Sequence, residues 1–251
     1  MCNPASNYWP GKATRKGQDV EVEARDGSRI PVHVSHPDGG APPFPTVLII
    51  HDYFDPENYY HDLADQYAAE GYLAVVPDLF HRHGKLAEQT HEQAGARIGG
   101  VGDDEALEDV DAVLDHLRSH GLLGALAVTG FCWGGRLAYL VVSRHREVKV
   151  LNVFYGHLTA WSGADGNKPY SPLDEAGKID AKVVGAYGGG DESIPLDQVR
   201  DMERRLLDKG VSAELKVYDG APHCFFRTPE WKDASDDAWG RALAGLKHAV
   251  G

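Results

Sequence analysis

Apolar positions along the chain follow two different periods. "VEVEA" (20–24) and "IPVHVSHP" (30–37) alternate apolar with polar residues around the turn "RDGS", which predicts an antiparallel hairpin at the edge of a sheet. "TVLIIH" (46–51) and "YLAVVPDL" (72–79) are continuous apolar runs, the pattern of strands buried on both faces. Between them, "NYYHDLADQYAAEG" reads as a helix closed by Gly71, a residue suited to a C-cap. "DDEALEDVDAVLDHLRSHG" spaces Leu107, Val110, Val113, Leu114 and Leu117 at helical intervals and opens with acids, which suit a helix N-terminus. Then come strand "ALAVTG", helix "GGRLAYLVVSRH", strands "VKVLNVFYG" and "AKVVGAYGG", helix "LDQVRDMERRLLDKG", strand "AELKVYDG" and a last helix near "DDAWGRALAGLKHAVG". Strands alternating with helices predict an α/β fold: a mostly parallel sheet of about seven or eight strands, covered by helices on both faces. A single domain over 1–251 is expected, with 1–17 as an N-terminal extension and long irregular segments at 81–102 and 157–178.

Composition narrows the expected partners. Hydrophobic residues make up 42% of the chain and charged ones 25%, as in ordinary globular proteins. The 25 basic and 38 acidic side chains give a formal net charge of −13, which repels nucleic acid and anionic lipid at long range. No run of eighteen apolar residues exists, and "MCNPASNYWPGKATRKGQ" lacks the apolar core of a secretory signal. A cytoplasmic location, with neither a membrane nor a nucleic acid as partner, is the resulting expectation; nothing in the pattern bears on oligomeric state. Three cysteines, Cys2, Cys132 and Cys224, with no Cys-x-x-Cys pair, suggest free thiols and neither a disulfide framework nor a structural zinc. His81, His83 and His91 fall in "HRHGKLAEQTHE", but no carboxylate or cysteine completes a metal-binding spacing, so no metal is expected.

In open α/β sheets, ligands bind beyond the carboxyl ends of the strands. Three reactive side chains fall there: Cys132 after "ALAVTG", Asp191 after "VVGAYGGG" and His223 after "AELKVYDGAP". Their chain order, nucleophile then acid then histidine, is that of an α/β-hydrolase triad, and "GFCWG" reads as a nucleophile elbow with cysteine in place of serine. The expected roles follow from chemistry. A thiol at a helix N-terminus is favoured as thiolate. His223 would carry the proton, and Asp191 would orient the imidazole and stabilise imidazolium. The backbone N–H groups of Trp133 and Tyr53 would form the oxyanion hole. Each residue alone has a plainer reading: a small buried cysteine, a hydrogen-bonded histidine, a turn aspartate. Type, position and order coincide on the catalytic one.

With those residues in hand, the chain resembles the dienelactone hydrolase (carboxymethylenebutenolidase) family from about residue 18 to the C-terminus. The nucleophile segment "GFCWGG", the acid segment "YGGGDESIP", the histidine segment "YDGAPHCF" and "GYLAVVPDLFHR" carry the resemblance. It implies an α/β-hydrolase fold and opening of a lactone or ester, of the dienelactone-to-maleylacetate type, through a thiol-acyl enzyme without cofactor. It also implies that Arg82 and Arg227 bind a substrate carboxylate. Asp52 stands where the family often has a glutamate that interacts with the resting thiol, and as the shorter acid it could instead order its loop. Trp133 is bulkier than the aliphatic residue of some members and could reshape the pocket floor. Two other readings stay open on the sequence: a general carboxylesterase or thioesterase, and a non-catalytic ligand-binding homologue.

Overall fold

The computed structural model describes residues 17–57, 59–161 and 166–249, so most of the expected extension at 1–17 lies outside it. Strands β1 (Gln18–Glu23) and β2 (Arg29–Ser35) form the predicted antiparallel hairpin, in register from Gln18 opposite Val34 to Glu23 opposite Arg29. Asp26 closes the turn by accepting from the Ser28 backbone N–H and hydroxyl, and Gly27 supplies the positive φ of +83° that the turn needs. β2 then pairs antiparallel with β4 (Leu73–Pro77). From β4 onward the sheet is parallel, through β3 (Phe44–Ile50), β5 (Leu123–Phe131), β6 (Val150–Phe154), β7 (Lys182–Gly188) and β8 (Ala213–Tyr218). The spatial order is β1-β2-β4-β3-β5-β6-β7-β8. This is the expected α/β-hydrolase architecture.

That order explains where a ligand can enter. After β3 the chain returns on one side to lay down β4 and crosses to the other for β5, so the connections diverge at β3 and β5 and open a crevice beyond their carboxyl ends. Helices cover the sheet because their apolar faces need burial: α1 (Tyr59–Ala69), α3 (Asp103–Ser119), α4 (Trp133–Arg144), α6 (Leu196–Asp208) and α7 (Lys232–Ala249), with two shorter ones, α2 (His91–Gly100) and α5 (Pro172–Glu175). All five apolar positions read as the inner stripe of α3 are buried. α1 ends as expected, with Gly71 at φ +98° and the Tyr72 N–H returning to the Tyr67 carbonyl at 3.1 Å.

The two segments expected to be irregular are partly helical. α2 lies inside 81–102, capped by Thr90, whose hydroxyl accepts from the Gln93 N–H at 3.3 Å. Its sequence "HEQAGARIGG" buries only Ala94 and Ile98, so it has almost no apolar period to detect. Segment 157–178 contains α5 and a 3₁₀ turn at Ala176–Lys178. No helix among the described residues is long and apolar enough to cross a membrane.

Candidate active site

The turn from β5 into α4 is built by close backbone approach. A Cβ on Gly134 would stand 2.2 Å from the His51 carbonyl oxygen, so only glycine lets α4 start directly over the end of β3. Cys132, at the apex, has φ 55° and ψ −116°, a conformation L-residues seldom adopt. It is held there by its own N–H to the Phe154 carbonyl (3.0 Å) and by the Arg136 N–H to its carbonyl (3.1 Å). The strain points the thiol outward from the sheet while its Cα stays buried.

Two more loops converge on it. The loops after β7 and β8 are tied together by Gly189 N–H to the Tyr218 carbonyl (2.7 Å) and Gly190 N–H to the Ala221 carbonyl (2.9 Å). Asp191 and His223 ride on these loops. His223 Nε2 lies 3.1 Å from Cys132 Sγ, and His223 Nδ1 lies 2.6 Å from Asp191 Oδ2. Ser193 completes the arrangement: its N–H and hydroxyl donate to Asp191 Oδ1 at 2.8 and 2.6 Å, and its Oγ lies 3.2 Å from His223 Nδ1. The three residues expected from sequence are thus within hydrogen-bonding distance in the expected order.

Electrostatics follow from this packing. Burial alone would lower the His223 pKa, but the Cys132 sulfur as thiolate and the Asp191 carboxylate outweigh it and push the imidazole up to about 10. Burial opposes ionisation of Asp191, yet His223 and the two Ser193 donors hold its pKa below the usual carboxylate value. The amides expected as an oxyanion hole have no hydrogen-bond partner among the described residues, and Tyr53 lines the same cavity as Cys132. The Trp133 N–H belongs to the first residue of α4, where helix N–H groups lack internal acceptors. Its indole packs against Phe80, 5.0 Å between ring centroids, and does not line the cavity, which corrects the expectation that it reshapes the pocket floor.

The cavity encloses about 810 Å³, room for a small organic substrate. Its lining includes the apolar Ile98, Trp161 and Pro222 and two polar groups that sequence reasoning passed over, His157 and Lys168. His157 follows the end of β6 as Cys132 follows β5, and that position was its available signal. Lys168 lies in the long segment after it, and its Nζ donates to the Gly99 carbonyl at 3.3 Å and to Asn167 Oδ1 at 3.2 Å.

Arg82 and Arg227 are not brought to this cavity. Arg82 is held by Asp109 (Nη2 to Oδ1, 2.9 Å) and Asp26 (Nε to Oδ2, 2.7 Å), at the hairpin turn. Arg227 is buried, with Nη1 on Asp52 Oδ2 at 2.7 Å and its guanidinium 3.8 Å above the Tyr59 ring. The carboxylate fork implied by the resemblance is therefore not assembled here, because each arginine already neutralises an aspartate. Asp52 spends its other oxygen on the Phe54 N–H at 3.0 Å and so orders the loop after β3. His81, His83 and His91 do not converge: they bond to Ser28, Glu105 and Tyr53 respectively. Cys132 is a free thiol, but Cys224 is disulfide-bonded, which corrects the expectation of free thiols throughout.

Comparison with known proteins identifies the family. The model of the dienelactone hydrolase family matches residues 30–250. A protein of Escherichia coli strain K12, provisionally named a carboxymethylenebutenolidase, is 32% identical over 232 residues, covering 90% of this chain and 84% of that one. The carboxymethylenebutenolidase of Rhodococcus opacus is 28% identical over 250 residues, 97% of this chain and 95% of its own. A crystal structure from Klebsiella pneumoniae, provisionally named a dienelactone hydrolase, superimposes with a TM-score of 0.84 at 30% identity, covering 92% of this chain and 98% of that one.

Proposed function

The chain belongs to the dienelactone hydrolase family of ester hydrolases, and from that premise we propose that it opens a small lactone or ester through a thioester on Cys132. The observation that carries the proposal is the continuous chain of contacts from Sγ through His223 to Asp191. The thiolate attacks the carbonyl carbon, and the amides of Tyr53 and Trp133 hold the resulting oxyanion. When the tetrahedral intermediate collapses, the carbon–oxygen bond breaks and imidazolium His223 protonates the leaving oxygen. Water then attacks the thioester with His223 as base, and the thiolate leaves. In a lactone the leaving oxygen stays tethered to the acyl group, so water must reach the thioester before the ring recloses. We infer a cytoplasmic, single-domain enzyme that works without cofactor.

A substrate carboxylate, if present, is proposed to meet Lys168 rather than an arginine fork. An ammonium at the wall of a mostly apolar cavity attracts an anion far more than it would in water. One experiment tests both halves. Rapid quench and mass spectrometry of the intact protein should trap an acyl adduct on Cys132 during turnover of a carboxylate-bearing enol lactone and of a neutral ester. Lys168→Met should raise KM for the charged substrate about tenfold, roughly 1.4 kcal/mol, and leave the neutral ester's KM within about twofold. Absence of any adduct under burst conditions would refute the thioester, and equal KM changes would refute the role of Lys168. In that second case the apolar wall favours the reading as a general carboxylesterase.

The raised His223 pKa fixes the direction of the alkaline limb. Leaving-group protonation needs imidazolium, so kcat/KM should fall as pH rises through about 10. Asp191→Asn removes an anion that favours the protonated ring, so the limb should move down toward the ordinary imidazole value of 6.5. A limb that stays in place would show that Asp191 does not act on the imidazole charge.

A further inference from the structure

The polar group left unexplained in the cavity is His157. The chain delivers it there deliberately: β6 ends at Phe154, Tyr155 takes φ 41°, and Gly156 passes so close to Gly135 at the start of α4 that a Cβ on Gly156 would stand 2.9 Å from the Gly135 Cα. The imidazole then lies with its ring centroid 5.5 Å from that of His223 and 4.9 Å from that of Trp161. Neither ring nitrogen has a hydrogen-bond partner among the described residues. Burial lowers its pKa to about 4, with the positive charge of His223 as a further cause. At neutral pH it is therefore an uncharged ring, half-buried at the cavity wall, with one N–H donor that no described residue engages.

Its position relative to His223 identifies what it can meet. A hydrogen-bonded oxygen sits about 4 Å from the centroid of the imidazole that donates to it. Two centroids 5.5 Å apart can therefore both serve one oxygen between them. The oxygen that must approach His223 during acylation is that of the leaving group, since the carbonyl oxygen belongs to the amides of Tyr53 and Trp133.

We propose that His157 is a second catalytic imidazole, which donates a hydrogen bond from its neutral ring to the leaving-group oxygen as that oxygen takes the proton of His223. This inference rests on Cys132 being the nucleophile. His157 gains and loses no proton in the step. The carbon–oxygen bond breaks, its electron pair goes to the oxygen, the His223 proton follows, and the His157 N–H stabilises the charge present before transfer is complete. The benefit is largest for strongly basic leaving groups, the enolate of a lactone or an alkoxide, and smallest for an aryloxide that already bears negative charge easily.

The test compares leaving groups in two variants. His157→Phe keeps a planar ring without the donor, and His157→Gln keeps a donor without the ring. For His157→Phe we expect kcat/KM to fall about thirtyfold or more on an enol lactone and an ethyl ester, but about threefold on p-nitrophenyl acetate, a donor deletion being worth about 10²–10³ at most. His157→Gln should recover most of the lost lactone activity. Equal losses on all three substrates, or no loss on any, would overturn the proposal. Failure of the nucleophile reading is distinguishable, because iodoacetamide would then no longer inactivate the wild type in step with alkylation of Cys132. If the Phe variant does not fold, the comparison of Gln with wild type across the three substrates decides: a greater loss on p-nitrophenyl acetate than on the lactone overturns it.

Discussion

Replacing Cys132 with alanine should lower kcat/KM at least about a thousandfold on every ester and lactone the protein hydrolyses. Little else in the site could substitute. His223 lacks an acidic thiol to activate, and direct attack by water would have to occur from the place the sulfur now fills. The oxyanion amides and the cavity would remain, so some rate above that in free solution should survive. Serine is the more informative second variant. It preserves the elbow, but its hydroxyl must lose a proton to His223 during attack, whereas in the wild type the Cys132 sulfur and Asp191 push the pKa of that ring up to about 10. Cys132→Ser should therefore stay far below wild type and should shift its pH dependence toward that of a neutral histidine base. The measurement is steady-state hydrolysis of an enol lactone beside p-nitrophenyl acetate, with protein purity checked by intact mass. Alanine activity within tenfold of wild type would end the thiol mechanism.

What the sequence revealed depended on how local each signal was. β3 and β4 are unbroken apolar runs because helices cover both faces of the sheet, and α3 wrote its buried stripe at regular intervals. The triad was legible for a similar reason: each member follows a strand by a fixed short turn, and "GFCWGG" records the glycines that close packing at the elbow demands. Non-local pairing was not legible. Whether Arg82 faces a ligand depends on Asp109 and Asp26, which are 27 and 56 residues away and announce nothing in the sequence around it. Arg227 is matched by Asp52 across 175 residues. An arginine at a family position is still free to be consumed by an acid elsewhere. α2 escaped notice because a helix that buries two side chains leaves no period to read. His157 met the same strand-end rule as the triad, but with no motif around it.

The largest expected effect on stability also comes from a pairing hidden in sequence. Arg136, four residues after Cys132, interrupts the otherwise apolar "WGGRLAYLVV", and neither its side chain nor that of Asp103 is more than 1% exposed. The two meet bidentately at 2.6 and 2.8 Å. The guanidinium also donates to the carbonyls of Thr159 (3.1 Å) and Tyr170 (2.6 Å), and Asp103 accepts from the Tyr170 N–H at 3.2 Å. Helices α3 and α4 are thereby fastened to both ends of the segment that carries Trp161 and Lys168 to the cavity. Removing one partner strands the other as an uncompensated buried charge, which costs about 3–5 kcal/mol. For a chain of this size that corresponds to a fall in Tm of roughly 6–20 °C. Arg136→Met should show it by thermal denaturation, together with a raised KM, since the cavity wall loses its anchor while the Cys132–His223–Asp191 contacts do not pass through Arg136. The double variant Arg136→Met with Asp103→Ala should recover part of the lost stability, because the stranded carboxylate, not the missing attraction, is the larger penalty. It should not recover KM, because the carbonyls of Thr159 and Tyr170 still lack their donor. A double variant less stable than Arg136→Met alone would mean that the Asp103 bond to the Tyr170 N–H outweighs the stranded charge, and a Tm loss under about 2 °C in the single variant would mean the pair is not buried in solution.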